Sequence, residues 1–192
     1  MSEDISKKKV IFILGGPGSG KGTQCALLKE NIPLLHVSSG DVLRAEVASG
    51  SELGKKIDAD IKEGRLVDQA VVLQLIRKAI EASPHEIVLL DGFPRSASQL
   101  EEFEREVCPC HFAVYFNCTE EEMLNRIHAR AAAAAAGEKR SDDNDEAAKK
   151  RFRVFQNQSI AAIEMLKRVG KLHEINAMRE KDQVYHDFSA LF

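Results

Sequence analysis

The chain has 192 residues, of which 44% are hydrophobic and 30% are charged, and its formal net charge is −3. This length suits one α/β domain with a substantial core, and the composition is typical of ordinary globular proteins. The slight negative charge does not favour binding to nucleic acid or to an acidic membrane, so phosphate chemistry would require locally concentrated cations.

Short apolar runs alternate with longer segments of helical periodicity along the chain. The first run is followed by a glycine-rich turn and by a predicted helix from Lys21 to Glu30. Alternation of this kind predicts right-handed crossovers and a parallel sheet, and therefore an α/β fold. The predicted strands cover residues 10–14, 87–90, 112–116 and 172–175, with a weaker one at 35–37.

The glycine-rich turn at residues 15–23 reads GGPGSGKGT. Its glycines let backbone N–H groups turn inward around an anion, and Lys21 stands where its ammonium reaches the outer phosphates of a nucleotide. The helix that follows adds the positive end of its dipole at the same point. A strand, this turn and a helix in that order predict a nucleotide phosphate site.

Residues 39–83 carry mostly helical signals, with breaks at Gly40, at residues 49–51 and at Gly64. We expect them to form a helical excursion between two strands of the sheet. His36, just before this segment, is expected to serve packing, because it matches no catalytic pattern.

The apolar run at residues 87–90 ends in Asp91-Gly92-Phe93-Pro94-Arg95. A carboxylate at the carboxyl end of a buried parallel strand lies beside the phosphate loop, where it can organise Mg²⁺ and its waters. An Asp-Gly pair alone often forms a simple turn, and the presence of the phosphate loop favours the metal role.

A further helix is predicted to open at Thr119, because Glu122 stands three residues later as in a capping box. Six consecutive alanines, residues 131–136, follow in the same helical segment. Alanine is the best helix former, so a continued helix is favoured over a flexible linker.

The four cysteines show no CxxC spacing, so free thiols in a reducing compartment are expected rather than a zinc or redox site. They are Cys25, Cys108, Cys110 and Cys118. The N-terminal residues carry no long apolar segment, and no run approaches about 18 apolar residues. We therefore expect a cytoplasmic protein without a membrane partner.

Four separated motifs resemble those of the nucleoside monophosphate kinases, the family of adenylate kinase and UMP-CMP kinase. They are GGPGSGKGT, then SSGD at 38–41 with Leu43-Arg44, then DGFPR at 91–95, then RSDDN at 140–144 with Lys150-Arg151. The match runs from about Lys9 to the C-terminus. It implies a single P-loop domain over 1–192 with a doubly wound parallel sheet, a monophosphate-binding excursion near 39–80 and a short lid near 126–151.

The resemblance implies a role for each matched cation. Lys21 would contact the outer phosphates of ATP, Arg44 and Arg95 would hold the acceptor phosphate, and Arg126 would stack on the donor adenine. Arg130, Arg140 and Arg151 would close over the transferring group, with Lys21 and Arg95 beside it. Thr23 and Asp91 would hold Mg²⁺, in part through water.

The implied nucleotide-binding residues form two sets. For ATP they are Gly16, Gly18, Ser19, Gly20, Lys21, Gly22, Thr23 and Arg126. For the monophosphate they are Ser39, Arg44, Leu66, Val67, Gly92, Arg95, Gln99, Arg140 and Arg151. The lid departs from the family pattern, because the alanine run lengthens it and Lys139 precedes Arg140 where a glycine is usual.

Acceptor choice is expected to depend on the few groups that touch the base. The resemblance implies AMP, because adenylate kinases carry a hydroxyl residue at the position of Ser39 and a glutamine at that of Gln99. UMP-CMP kinases usually carry alanine at the first position and often asparagine at the second. Residues 115–118 and 150–152 are instead more similar to the UMP-CMP branch.

The implied reaction is transfer from Mg·ATP to AMP, giving two ADP, without a covalent intermediate or a protein general base. Transfer to UMP or CMP is the alternative. A non-catalytic nucleotide-binding module is a third, and it is disfavoured because Lys21, Arg44, Arg95, Arg140 and Arg151 are all present. The expected partners are ATP and a nucleoside monophosphate, without nucleic acid, and the expected state is a monomer.

Overall fold

The sheet is all parallel, as predicted. A computed structural model describes residues 5–62, 67–133 and 145–192. Within these residues five strands pair in the order β2-β3-β1-β4-β5. They are β1 (Lys9–Leu14), β2 (Leu35–Ser38), β3 (Ile87–Asp91), β4 (Phe112–Asn117) and β5 (Leu172–Asn176). The α/β fold class is confirmed, and so is the weakly signalled strand near residue 36.

The strands are buried because helices cover both faces of the sheet, which explains their near-continuous apolar runs. Every residue of β1 after Lys9 is buried. On one face Phe12 packs edge-on against Phe103, with ring centroids 5.2 Å apart. On the other face Phe116 contacts Phe188 at the same centroid distance. These two apolar clusters hold the sheet between its helices.

The described helices connect the strands in chain order. They are α1 (Lys21–Asn31), α2 (Ser39–Ala48), α3 (Glu52–Lys62), α4 (Gln69–Glu81), α5 (Ala97–Glu106), α6 (Glu120–Ala133), α7 (Asp145–Val154), α8 (Ile160–Arg168) and α9 (Lys181–Ser189). A 3₁₀ turn covers Ile5–Lys7, and a π-helical turn, Phe155–Ser159, joins α7 to α8. Among the described helices none is both long and apolar enough to cross a membrane.

The predicted excursion is helical where the structure describes it. Helices α2, α3 and α4 lie between β2 and β3. Helices α2 and α3 approach closely at Gly54, where an added Cβ would lie 2.2 Å from the carbonyl oxygen of Glu46. Asp68 caps the N-terminus of α4, because its side chain accepts a hydrogen bond from the N–H of Ala70.

The predicted lid segment begins on α6. Thr119 Oγ1 accepts the N–H of Glu122 at 3.3 Å, which confirms the predicted helix start. The described part of this helix reaches Ala133, so the first three alanines of the run continue it as expected. The remaining alanines, like Arg140 and the rest of RSDDN, lie outside the described residues.

Strand register brings the chemistry-bearing turns to one edge of the sheet. Asp91 pairs with Ile13 of β1 on one side and with Ser38 of β2 on the other. The phosphate loop after β1, the start of α2 and the DGFPR turn therefore meet at the carboxyl ends of neighbouring strands, where parallel sheets bind ligands.

Candidate active site

The glycine-rich loop is held in a conformation that only glycine adopts easily. Gly15, Gly18 and Gly20 have φ values of 149°, 81° and 93°. Gly18 also packs against α6, since a Cβ there would lie 2.4 Å from the carbonyl oxygen of Met123. The loop is thus a built concavity before the N-terminus of α1, as anion binding requires.

The Lys21 ammonium is folded back into this loop. Its Nζ donates to the carbonyl oxygens of Gly15 at 2.8 Å and Gly16 at 2.9 Å, and it lies 3.4 Å from Ser19 Oγ. These contacts fix the charge in the concavity, ready to face an anion.

Electrostatics link Lys21 to more distant parts of the chain. Burial lowers the pKa of its ammonium, Asp91 opposes that shift, and the positive charges of Arg151 and Arg95 reinforce it. These two arginines come from α7 and from the turn after β3. The structure therefore brings three predicted cations close enough to influence one another electrostatically.

Asp91 lies where α1 begins. A Cβ on Gly22 would be 4.0 Å from Asp91 Oδ2, and Thr23 follows on the exposed side of the same helical turn. A carboxylate and a hydroxyl are the oxygen donors that Mg²⁺ prefers. The residues present therefore fit the predicted cation, and Asp91 and Thr23 remain its predicted protein partners.

Two residues that sequence reasoning did not place in the site contact it. His36 Nε2 of β2 lies 3.5 Å from Asp91 Oδ2. This short distance is not a hydrogen bond by geometry, and the buried Nε2 has no hydrogen-bond partner among the described residues. Cys25 of α1 brings its sulfur to the same cluster. The register of β2 on β3 brings His36 near Asp91, and no local sequence pattern indicates that contact.

The acceptor side is organised around Gly92, whose φ is 73°. Its carbonyl oxygen accepts from Arg95 Nε at 2.9 Å and from Ser39 Oγ at 3.1 Å. Ser39 is only 5% exposed, and its hydroxyl supports the turn. The predicted acceptor residues Ser39, Gly92 and Arg95 are thus brought together.

Gln99 lies in the first turn of α5 and closes the DGFPR turn. Its Oε1 accepts the backbone N–H of Arg95 at 2.7 Å. Ser96 Oγ accepts the N–H of Gln99 at 3.2 Å, so one orphan donor of the helix start is satisfied by the cap, and the Gln99 oxygen satisfies the N–H just before the cap.

The other predicted acceptor residues are less closely gathered. Arg44 is exposed on α2 and pairs with Asp41 one turn earlier. Val67 is half-buried against the apolar cluster beneath the excursion. Leu66 lies outside the described residues.

On the donor side, Arg126 joins three parts of the site. Its Nε pairs with Glu122 at 2.8 Å, Nη2 donates to the carbonyl oxygen of Ala177 at 2.8 Å, and Nη1 reaches that of Ser19 at 3.5 Å. Arg126 therefore lies beside the glycine-rich loop, and its stacking on the donor adenine stays a prediction. Arg130 is exposed one turn further along α6, and Arg151 is half-buried on α7. An arrangement of this kind belongs to P-loop enzymes that transfer phosphoryl groups.

Comparison with known proteins shows which family of phosphoryl-transfer enzymes this chain belongs to. The family model "Adenylate kinase" matches residues 13–171. UMP-CMP kinase 3 of Arabidopsis thaliana is 43% identical over 188 residues, which cover 97% of this chain and 90% of that protein. Adenylate kinase 1 of Schistosoma mansoni is 43% identical over 187 residues, covering 95% and 92%. Uridylate kinase of Saccharomyces cerevisiae is 42% identical over 183 residues, covering 93% and 87%. The chain belongs to the adenylate kinase family and is a nucleoside monophosphate kinase.

Proposed function

We propose that this kinase transfers the γ-phosphoryl group of Mg·ATP to AMP, giving two molecules of ADP. The observation that carries the choice of AMP is the fixed orientation of the Gln99 amide. The backbone N–H of Arg95 can only donate, so the amide atom facing it must be the oxygen. The amide nitrogen is then the other terminal atom, and the described residues give it no hydrogen-bond partner.

This orientation favours an adenine edge. The Nε2 group donates to a ring nitrogen, and the second lone pair of Oε1 accepts from the neighbouring N6 amino group. Uracil presents its donor and acceptor in the reverse order, because its ring N–H donates and its carbonyl accepts. Cytosine offers the same pair as adenine on a smaller ring, so we expect CMP to rank between AMP and UMP.

The remaining residues act by placing charge. Lys21 and Arg151 face the transferring group, and Arg95 holds the acceptor phosphate, so two polyanions are neutralised as they meet. Mg²⁺, when bound at Asp91 and Thr23, neutralises charge on the phosphates. Arg130 and Arg140 are proposed to close with the lid, Arg44 to grip the acceptor phosphate, and Leu66 and Val67 to line the acceptor pocket. We further propose that the chain acts as a single-domain monomer in the cytosol.

A second candidate is a kinase for UMP and CMP. Both UMP-CMP kinases and adenylate kinases match this chain at closely similar identity. This second candidate differs from the first only in the base that Gln99 and Ser39 would bind.

Substitution of Gln99 by glutamate separates base reading from structure. Gln99→Glu keeps an oxygen for the Arg95 N–H and removes the amide donor. We expect the transition-state stabilisation that kcat/KM measures to fall by about 1–3 kcal/mol for AMP, with a smaller loss for UMP. The measurement is steady-state ADP release with each acceptor, and Gln183→Glu on exposed α9 is the matched control. An AMP-to-UMP preference that Gln99→Glu leaves unchanged would contradict the assignment.

A further inference from the structure

Cys25, His36 and Asp91 bring three different metal-binding groups to one point. They come from α1, β2 and the end of β3, and one ligand atom of each lies within 4.8 Å of the other two. His36 Nε2 and Asp91 Oδ2 are 3.5 Å apart. Ligands of a tetrahedral zinc ion lie roughly 3.3–3.8 Å apart, given Zn–S and Zn–N bonds of about 2.3 and 2.0 Å. A side-chain shift of about 1 Å therefore brings all three atoms to bonding distance.

We propose that Cys25, His36 and Asp91 form an inhibitory site for a transition-metal ion such as Zn²⁺. A thiolate, an imidazole and a carboxylate are the donors that zinc accepts, and three protein ligands leave a fourth position for water. Mg²⁺ requires oxygen ligands and does not compete for sulfur and nitrogen. The site is therefore chemically distinct from the magnesium site, although both use Asp91.

The buried groups of this cluster lack better partners. His36 Nε2 is buried without a hydrogen bond among the described residues. The Cys25 side chain is fully buried. A buried polar atom left unpaired is destabilising, and a metal ion supplies the missing interaction.

Binding balances charge inside the protein. The ion replaces the thiol proton, a sulfur–zinc bond forms as the sulfur–hydrogen bond breaks, and the proton leaves to solvent. Two positive charges on zinc then face two negative charges, one on the thiolate and one on the Asp91 carboxylate.

Inhibition follows because zinc occupies the Asp91 carboxylate. This consequence rests on the proposed role of Asp91 in organising Mg²⁺, whereas metal binding itself rests only on the cluster. The two are measured by different signals, so failure of one is distinguishable from failure of the other.

Co²⁺ is the spectroscopic probe for the full-length protein. Bound through a thiolate, it gives a near-ultraviolet charge-transfer band, and a tetrahedral site also gives intense visible bands. We expect both in the wild type and their removal by added Zn²⁺, whereas excess Mg²⁺ competes only for the shared Asp91 carboxylate and should weaken the bands far less than Zn²⁺ does. Cys25→Ser should abolish the charge-transfer band, and Cys108→Ser, at another buried cysteine, should retain it. A folded wild type without the band, or a band that survives Cys25→Ser, would overturn the site.

His36→Gln provides a second variant, because it leaves the buried cysteine in place. We expect its zinc affinity to fall by about 100-fold or more, since even groups that only support metal ligands are worth about 10–100-fold. Zinc inhibition, normalised to the activity of each variant, should weaken in parallel. Cobalt binding through Cys25 without zinc inhibition would overturn the inhibitory role. Cobalt binding in a protein that phosphorylates no monophosphate would uphold the site and contradict the proposed function alone.

Discussion

At the scale of single residues, the buried charge of Lys21 lowers the free energy of unfolding. The fold lowers the pKa of Lys21, chiefly through burial, so the folded chain disfavours the charged form that phosphate binding needs. The unfolded chain binds more protons between the lowered folded pKa and the unfolded value, so stability rises with pH across that window. Below the window the buried charge weakens the fold.

Lys21→Met tests this balance between function and stability. The substitution keeps the stem and removes the charge, so kcat should fall by roughly 10³-fold or more. The free energy of unfolding at neutral pH should not fall, and its rise toward alkaline pH should become shallower. Steady-state kinetics and urea unfolding at neutral and alkaline pH measure both. Near-normal turnover in a folded variant would refute the donor-site role.

The contacts of single residues were the part of the site that the sequence predicted least well. Lys21, Asp91 and Arg95 stand in motifs whose chemistry is readable, and the structure brings them together. His36 was expected to serve packing, and its contact with Asp91 depends on strand register, which no local pattern specifies. The Gln99 contact with Arg95 likewise required the three-dimensional turn.

The phosphate loop shows how one element constrains its neighbour. Gly18 has a positive φ, and the Met123 carbonyl of α6 occupies the space that a Cβ at Gly18 would need. The loop, α6 and Arg126 are therefore one packed unit on the donor side. We expect a disturbance of the loop backbone to reach the donor site directly.

Gly18→Ala tests that coupling. The positive φ alone costs about 1–3 kcal/mol for a non-glycine residue, and the 2.4 Å approach to Met123 adds to it. Gly170→Ala is the matched control, because Gly170 has a φ of 71° with nothing within 4 Å of the added Cβ. We expect Gly18→Ala to lose more stability and to weaken ATP binding, by thermal unfolding and equilibrium titration. Equal losses at the two positions would show that the loop tolerates the added carbon.

At the level of elements, hydrophobic periodicity predicted the strands and helices themselves. The strands, the helical excursion and the start of α6 follow from apolar patterns and capping residues, and the structure confirms them. The alanine run was expected to continue a helix, and it does so through Ala133. The stretch from 134 to 144 lies outside the described residues, so the proposed closing role of Arg140 stays a prediction.

At the level of the whole molecule, strand order makes the site. Because β3 lies between β2 and β1, segments separated by dozens of residues meet at one edge. Lys21, Arg95 and Arg151 lie close enough to influence one another, and Asp91 offsets part of their positive charge. Sequence could predict the parallel sheet from alternation, whereas the family resemblance, rather than pattern alone, indicated which arginines converge.

Phosphorylation of AMP is the activity that we propose for this site. Its most direct test is the kcat/KM of the wild-type enzyme with Mg·ATP and each of AMP, CMP, UMP, dCMP and GMP, followed by coupled ADP release. The orientation of Gln99 predicts that AMP ranks first, with CMP next and UMP lower. A preference of about tenfold or more for UMP or CMP over AMP, roughly 1.4 kcal/mol in transition-state binding, would contradict it.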